Sequence, residues 1–188
     1  MLVSHIACSK TNDFWGDAYA EDAEISTRSQ PVWVTVPFKV KYTGTFILQG
    51  PNPDRCPDAF NVVVDGIGQG TNVGHSTIHF DFYGLPAGDG TFDFLYGDPL
   101  PSDAYIVAAN GDSLFVTISG RVIDGQLDYH PADVNSYWRD PFEILGGTGR
   151  FEGATGSGMS DDYNRDSYPN NSFHNWEGTI TMIKGKRN

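Results

Sequence analysis

The sequence predicts an all-β chain, a closed antiparallel β-barrel of about eight strands. Three observations predict it. Apolar and polar residues alternate along most of the chain after Pro31. The alternating runs are separated by short turns drawn from a chain with 22 glycines and 11 prolines. No segment carries an extended apolar pattern at the 3.6-residue helical period. Glycines inside the runs favour a barrel, because they let a strand bend sharply.

The first run is "VWVTVPFKVKYTGTFIL", in which Val32, Val34, Val36, Phe38, Val40, Tyr42, Phe46 and Leu48 share one parity. It reads as one long strand, or two joined at a bend near Gly44. Pro37 has no N–H to give a neighbour and marks an edge or bulge. "FNVVVDGIGQG" follows with Phe60, Val62 and Val64 on one face. In "HSTIHFDFYG", Ile78, Phe80 and Phe82 oppose His75, Thr77, His79 and Asp81. "GTFDFLYG" is short and aromatic. "AYIVAANGDSLFVTISGRVI" reads as strand, turn, strand, with Asn110-Gly111 as a hairpin signal whose residues both tolerate positive φ. "PFEILGG" and "HNWEGTITMIKG" supply the last clear strands, the second with Trp176, Ile180 and Met182 on one face.

Between them lies "GGTGRFEGATGSG", with six glycines in thirteen residues. A dinucleotide fingerprint fails here, because Glu152 stands where the third glycine belongs and no helix pattern follows. A phosphate loop fails too, lacking Gly-Lys-Ser/Thr. The residues fit a turn over 146–149, a returning strand from Arg150 that coils at Gly153, Gly156 and Gly158, and Phe151 filling the interior.

Together with "AANGDSLF" (108–115), "WEGTITM" and "GIGQGTNVGHST" (66–77), this stretch resembles a group of bacterial secreted proteins and lipoproteins with an allene oxide cyclase-like, calycin-like barrel. The resemblance covers about residues 32–184. It implies a fold and an exported protein. It carries no catalytic residue over, since no cyclase motif is present.

The chain has 188 residues, enough for one domain over 32–188 behind an acidic arm and leader remnant at 1–31. With 12 Lys+Arg against 24 Asp+Glu, the formal charge is −12. Such a surface repels phosphate backbones, so nucleic acid is an unsuitable partner. No apolar run reaches the roughly 18–20 residues of a transmembrane helix. "MLVSHIACSK" resembles the tail of a lipoprotein signal, which would make the protein secreted or lipid-anchored at Cys8. The plainer reading is an ordinary N-terminus. Cys56 is the other cysteine, and a Cys8–Cys56 bridge is an alternative that sequence leaves open.

The chemistry candidates each have a plainer reading. His75 and His79 lie about 13 Å apart on one strand face, too far to share a metal. His79 alone could act as a general base, or it is a hydrogen-bonded surface histidine. His130 and His174 follow no ligand spacing. Asp162, Asn164 and Asp166 have the first three spacings of a calcium loop, but Ser167 and Phe173 replace the required glycine and glutamate. Irregular calcium binding or a solvated loop remain. Glu143, Glu152 and Glu177 could do acid–base work, or they are outward charges paired with Arg121 and Arg150. Phe80, Phe82, Phe92, Phe94, Tyr96, Tyr105 and Phe115 line an apolar cavity or fill a small barrel. Trp15, Trp33, Trp138 and Trp176 would stack a sugar only if exposed.

Three functions fit. The first is an exported, cofactor-free barrel that binds a small, largely apolar molecule through Phe80, Phe82, Phe94, Tyr105 and Phe115. The second is a cofactor-independent cyclase or isomerase, with His79, Glu143, Glu177 or Tyr105 as acid or base. The third is a filled barrel that serves as an interaction or homo-oligomerisation module.

Overall fold

In a computed structural model the protein is described over residues 30–52, 56–86, 92–95, 103–118, 120–166 and 170–185, with backbone alone at 51–52, 56–58, 86 and 92–95. The predicted N-terminal arm and leader, Cys8 and the other residues before position 30 lie outside these, as do Tyr96 and the side chains of Cys56, Phe92 and Phe94. The described strands are β1 (Trp33–Asn52), β2 (Cys56–Gly70), β3 (Gly74–Pro86), β4 (Phe92–Leu95), β5 (Ala104–Val107), β6 (Ser113–Ile118), β7 (Arg121–Asp124), β8 (Val134–Trp138), β9 (Pro141–Gly147), β10 (Thr155–Ser160), β11 (Asp162–Arg165) and β12 (Ser172–Ile183).

All pairings are antiparallel, and the sheet closes on itself. β4 and β5 pair with opposite ends of β3, so they share one position in the wall. β6 with β7, β8 with β9, and β10 with β11 do the same. Twelve segments therefore occupy eight positions, each bonded to its neighbour in sequence, and β12 returns to β1. This is an up-and-down barrel, which removes the open edges that an unclosed sheet would expose.

The long first strand is unbroken through Gly44. Pairing with β2 begins only at Val40, so Pro37 sits where one ladder is absent and its missing N–H costs nothing. The glycine-rich stretch differs from the expectation in one respect. Residues 149–151 form a short 3-10 turn, and the returning strand starts at Thr155. Positive φ at Gly149 (52°) and Gly153 (69°) turns the chain at both ends and drives Phe151 fully into the core. The Asn110-Gly111 hairpin also differs: Gly111 alone takes positive φ (87°), so this is not the two-residue turn expected.

The barrel interior has two unlike halves. At the end of β5, β6, β9 and β10 it is packed solid by side chains that include Phe38, Leu114, Phe142, Phe151, Trp176 and Ile180. Beyond the breaks at Gly120, Asp140 and Asp161, toward β7, β8 and β11, the same interior opens.

Candidate functional site

The open half holds a cavity of about 340 Å³. Its wall is built by simple strand alternation. Phe46 and Leu48 come from β1, Val62 and Val64 from β2, Phe80 and Phe82 from β3, and Val122 and Trp138 from the far wall. Volume in this range accommodates a small ligand, and an apolar wall with few polar groups is the usual composition of such sites. The floor is aromatic. The Phe80 ring meets His174 edge-on at 5.3 Å and Trp176 at 5.6 Å, and Trp176 stacks on Phe142 at 5.0 Å.

One side of the floor is polar. Asp162, Asn164, Ser172 and His174 all line the cavity, from the paired strands β11 and β12. Asp162 Oδ1 accepts the Asn175 N–H at 2.8 Å, and its Oδ2 accepts Trp176 Nε1–H at 2.9 Å. His174 Nδ1 lies 3.1 Å from the same Oδ2, and His174 Nε2 lies 3.0 Å from Ser172 Oγ. Asp162, Ser172, His174 and Trp176 are all buried. Buried polar groups are stable when their bonds are made, and here a carboxylate, an imidazole and a hydroxyl form one continuous chain. Such a chain can accept or relay a proton at the cavity floor.

A second interior carboxyl is Asp140, at the break between β8 and β9. Its Oδ2 accepts the Arg121 N–H at 3.0 Å, and its carboxyl fills the space left by Gly120. Burial pushes its pKa up to about 6, opposed by the Arg121 N–H and helped by the Asp162 charge. Asp140 does not line the cavity.

The sequence candidates separate by parity. Phe80 and Phe82 line the cavity. Tyr105 and Phe115, expected there, do not: they alternate with the core residues Ile106, Leu114 and Val116 and so stand on the outer wall. Phe94 lies on β4, and its side chain is outside the described residues. His79 is on the outer wall too, 2.7 Å from Asp65 and against the Tyr105 ring at 4.9 Å. Glu143 is exposed, and Glu177 is exposed beside Lys39 at 3.1 Å. None of these four acid–base candidates reaches the cavity. Of the proposed calcium residues, Asp162 and Asn164 lie on β11 and Asp166 just past its end: Asp162 is committed to three donors, Asn164 to Ser136 at 3.1 Å, and Asp166 to Asn135 at 2.6 Å. Among the described residues no group of three or more His, Cys, Asp or Glu could hold a metal. Trp138 and Trp176 are interior; of the described tryptophans Trp33 alone, 44% exposed, reaches the surface.

Asp162, Asn164 and His174 stand out singly in the sequence, and strand parity is the signal that brings them together. Trp176, Ile180 and Met182 already marked the inward parity of β12. Continued backward, that parity places His174 and Ser172 inside. Continued along β10 from Ser160, it places Asp162 beside them.

No family model matches the chain, and no curated protein matches its sequence. Among solved structures, the pterocarpan synthase dirigent protein GePTS1 is similar with a TM-score of 0.53 and 11% identity, over 88% of this chain and 100% of its own. The pterocarpan synthase dirigent protein PsPTS1 has a TM-score of 0.42 and 14% identity, over 84% and 100%. The first likeness shows that the chain shares the eight-stranded barrel fold of a dirigent protein, a fold related to the expected allene oxide cyclase-like barrel.

Proposed function

We propose that the protein binds a small, largely apolar molecule in the open half of its barrel. The observation that carries this reading is the cavity of about 340 Å³ walled by Phe46, Val62, Phe80, Phe82 and Trp138. Burying a ligand against that wall contributes about 25 cal/mol per Å² of apolar surface, less the cost of ordering it. The fold shared with a pterocarpan synthase dirigent protein is compatible with an interior that accepts small molecules. A filled interaction module fits poorly, because only half of the interior is packed. The test is native mass spectrometry with N-phenyl-1-naphthylamine as a neutral probe. The expected result is one probe per chain, lost in Val62→Trp, which fills the cavity. No adduct with the wild type would refute the reading.

A cyclase or isomerase is the second reading, favoured by the Asp162–His174–Ser172 chain on the cavity floor. It predicts that His174→Ala keeps probe binding and loses any turnover. Export completes the proposal, supported by the apolar start ending at Cys8 and by the acidic balance. Radiolabelled palmitate incorporated at Cys8, and lost in Cys8→Ser, would test the lipid-anchored form.

A further inference from the structure

We propose that Asn164 and Ser172 form a head-group subsite that selects apolar ligands carrying a hydroxyl or N–H donor. This rests on the cavity reading above. The two residues are direct cross-strand partners on β11 and β12, and both line the cavity. Two hydrogen-bond chains fix what they offer, and each is rooted in a carboxylate.

The first chain starts at Asp166. Its Oδ1 can only accept, so the Asn135 group 2.6 Å away is the donating Nδ2. Asn135 Oδ1 then faces Ser136, whose hydroxyl donates to it at 3.1 Å. With its proton spent, Ser136 Oγ accepts from Asn164 Nδ2 at 3.1 Å. Asn164 Oδ1 is left over. It is shielded from solvent and accepts no hydrogen bond.

The second chain starts at Asp162, whose two oxygens already accept from Trp176 and the Asn175 backbone. His174 therefore turns its Nδ1–H toward Oδ2, and its bare Nε2 toward Ser172. Ser172 donates to that nitrogen, and its remaining lone pairs are unspent. Both chains end on acceptors. A buried acceptor without a donor is costly, and such a group on a residue that lines a ligand-sized cavity is a recognition signal. Carboxylate heads are disfavoured by Asp162 and Asp124 in the same wall. The complement is a neutral donor on an apolar body.

The experiment compares 1-naphthol with 1-methoxynaphthalene by isothermal titration calorimetry on the full chain. The two share ring and oxygen, but only the first has a proton to give. The expected result is about tenfold tighter binding of 1-naphthol. Ser172→Ala and Asn164→Ala should each narrow that ratio. Equal affinity of the two probes for the wild type overturns the subsite and leaves the cavity reading intact. If neither probe binds, the cavity reading fails and the subsite falls with it. The wild-type comparison needs no variant to fold.

Discussion

Asp162 and Trp176 are joined inside the barrel by a 2.9 Å hydrogen bond from the indole Nε1–H to Oδ2, with both residues fully enclosed. The bond ties the two halves of the interior together. Trp176 belongs to the packed half, stacked on Phe142, while Asp162 reaches the cavity and orients His174. The same carboxylate thus serves core and site.

Removing that carboxylate should therefore cost more than removing one of its donors. Asp162→Ala leaves the Trp176 indole, His174 Nδ1 and the Asn175 N–H without their acceptor. The expected loss is about 3–5 kcal/mol of unfolding free energy. Trp176→Phe removes a donor with its bond and should cost less, about 1–3 kcal/mol. Urea titrations followed by circular dichroism would measure both. Equal losses would refute a shared anchoring role for Asp162.

Gly158 makes room for the Phe142–Trp176 stack. It pairs with Gly178 across β10 and β12, and a Cβ at Gly158 would lie 2.6 Å from Phe142 Cε1 and 2.7 Å from the Gly178 Cα. Neither a ring edge in a packed core nor a backbone atom yields easily. Gly158→Ala should destabilise the barrel by about 1–3 kcal/mol and weaken the aromatic near-ultraviolet dichroism of the stack. Gly50, with open space around it, is the control, and Gly50→Ala should stay within about 0.5 kcal/mol of wild type. Matching thermal melts for the two variants would contradict this assignment.

The barrel was legible because strand alternation is a local signal. Phe38, Val40 and Tyr42 face inward as their spacing requires, and Phe80 and Phe82 reach the cavity by the same rule. Phe151 was legible as core, but the 3-10 turn that delivers it was not. Its form depends on contacts with β6 and β12 that are remote in sequence. Tyr105 and Phe115 were misplaced because aromatic character was weighed above parity. The polar floor was harder. Asp162, His174 and Ser172 match no spacing motif, and they meet only because β11 and β12 pair. Asp162 also carries a second local signal, the Asp162, Asn164 and Asp166 spacing of a calcium loop, which strand alternation through β11 produces equally well.

The Asp140 carboxyl gives the stability profile a definite slope. Its pKa is about 6 in the fold against 3.8 without it, so between those values the folded chain binds the extra proton. Stability from this group is fully present below about pH 4 and is lost as pH rises through 6. Asp140→Asn keeps an acceptor for the Arg121 N–H and removes the titration. It should be more stable than wild type at pH 8 by roughly 1–2 kcal/mol, a figure reduced for residual solvent screening. Unfolding titrations at pH 4 and pH 8 would show this as a change in the gap between the two proteins. A gap that is the same at both values would rule Asp140 out as its source.

Tyr42 provides an alkaline counterpart in the packed half. Its hydroxyl is 2.7 Å from Ser76 Oγ in the buried interior, and burial pushes its pKa up to about 12 against the lowering effect of that hydrogen bond. The unfolded chain loses the phenol proton near 10, so the folded state holds it longer. The stabilisation is complete below pH 10 and is lost as pH rises through 12. A spectrophotometric titration should therefore show a late tyrosine component, to which Tyr129 and Tyr163, also raised by burial, contribute, and Tyr42→Phe should reduce its amplitude. The variant should also lose about 0.5–1.5 kcal/mol at neutral pH, because Ser76 keeps its hydroxyl without this partner. A late component of undiminished amplitude in Tyr42→Phe would show that the phenol of Tyr42 is not held neutral by burial.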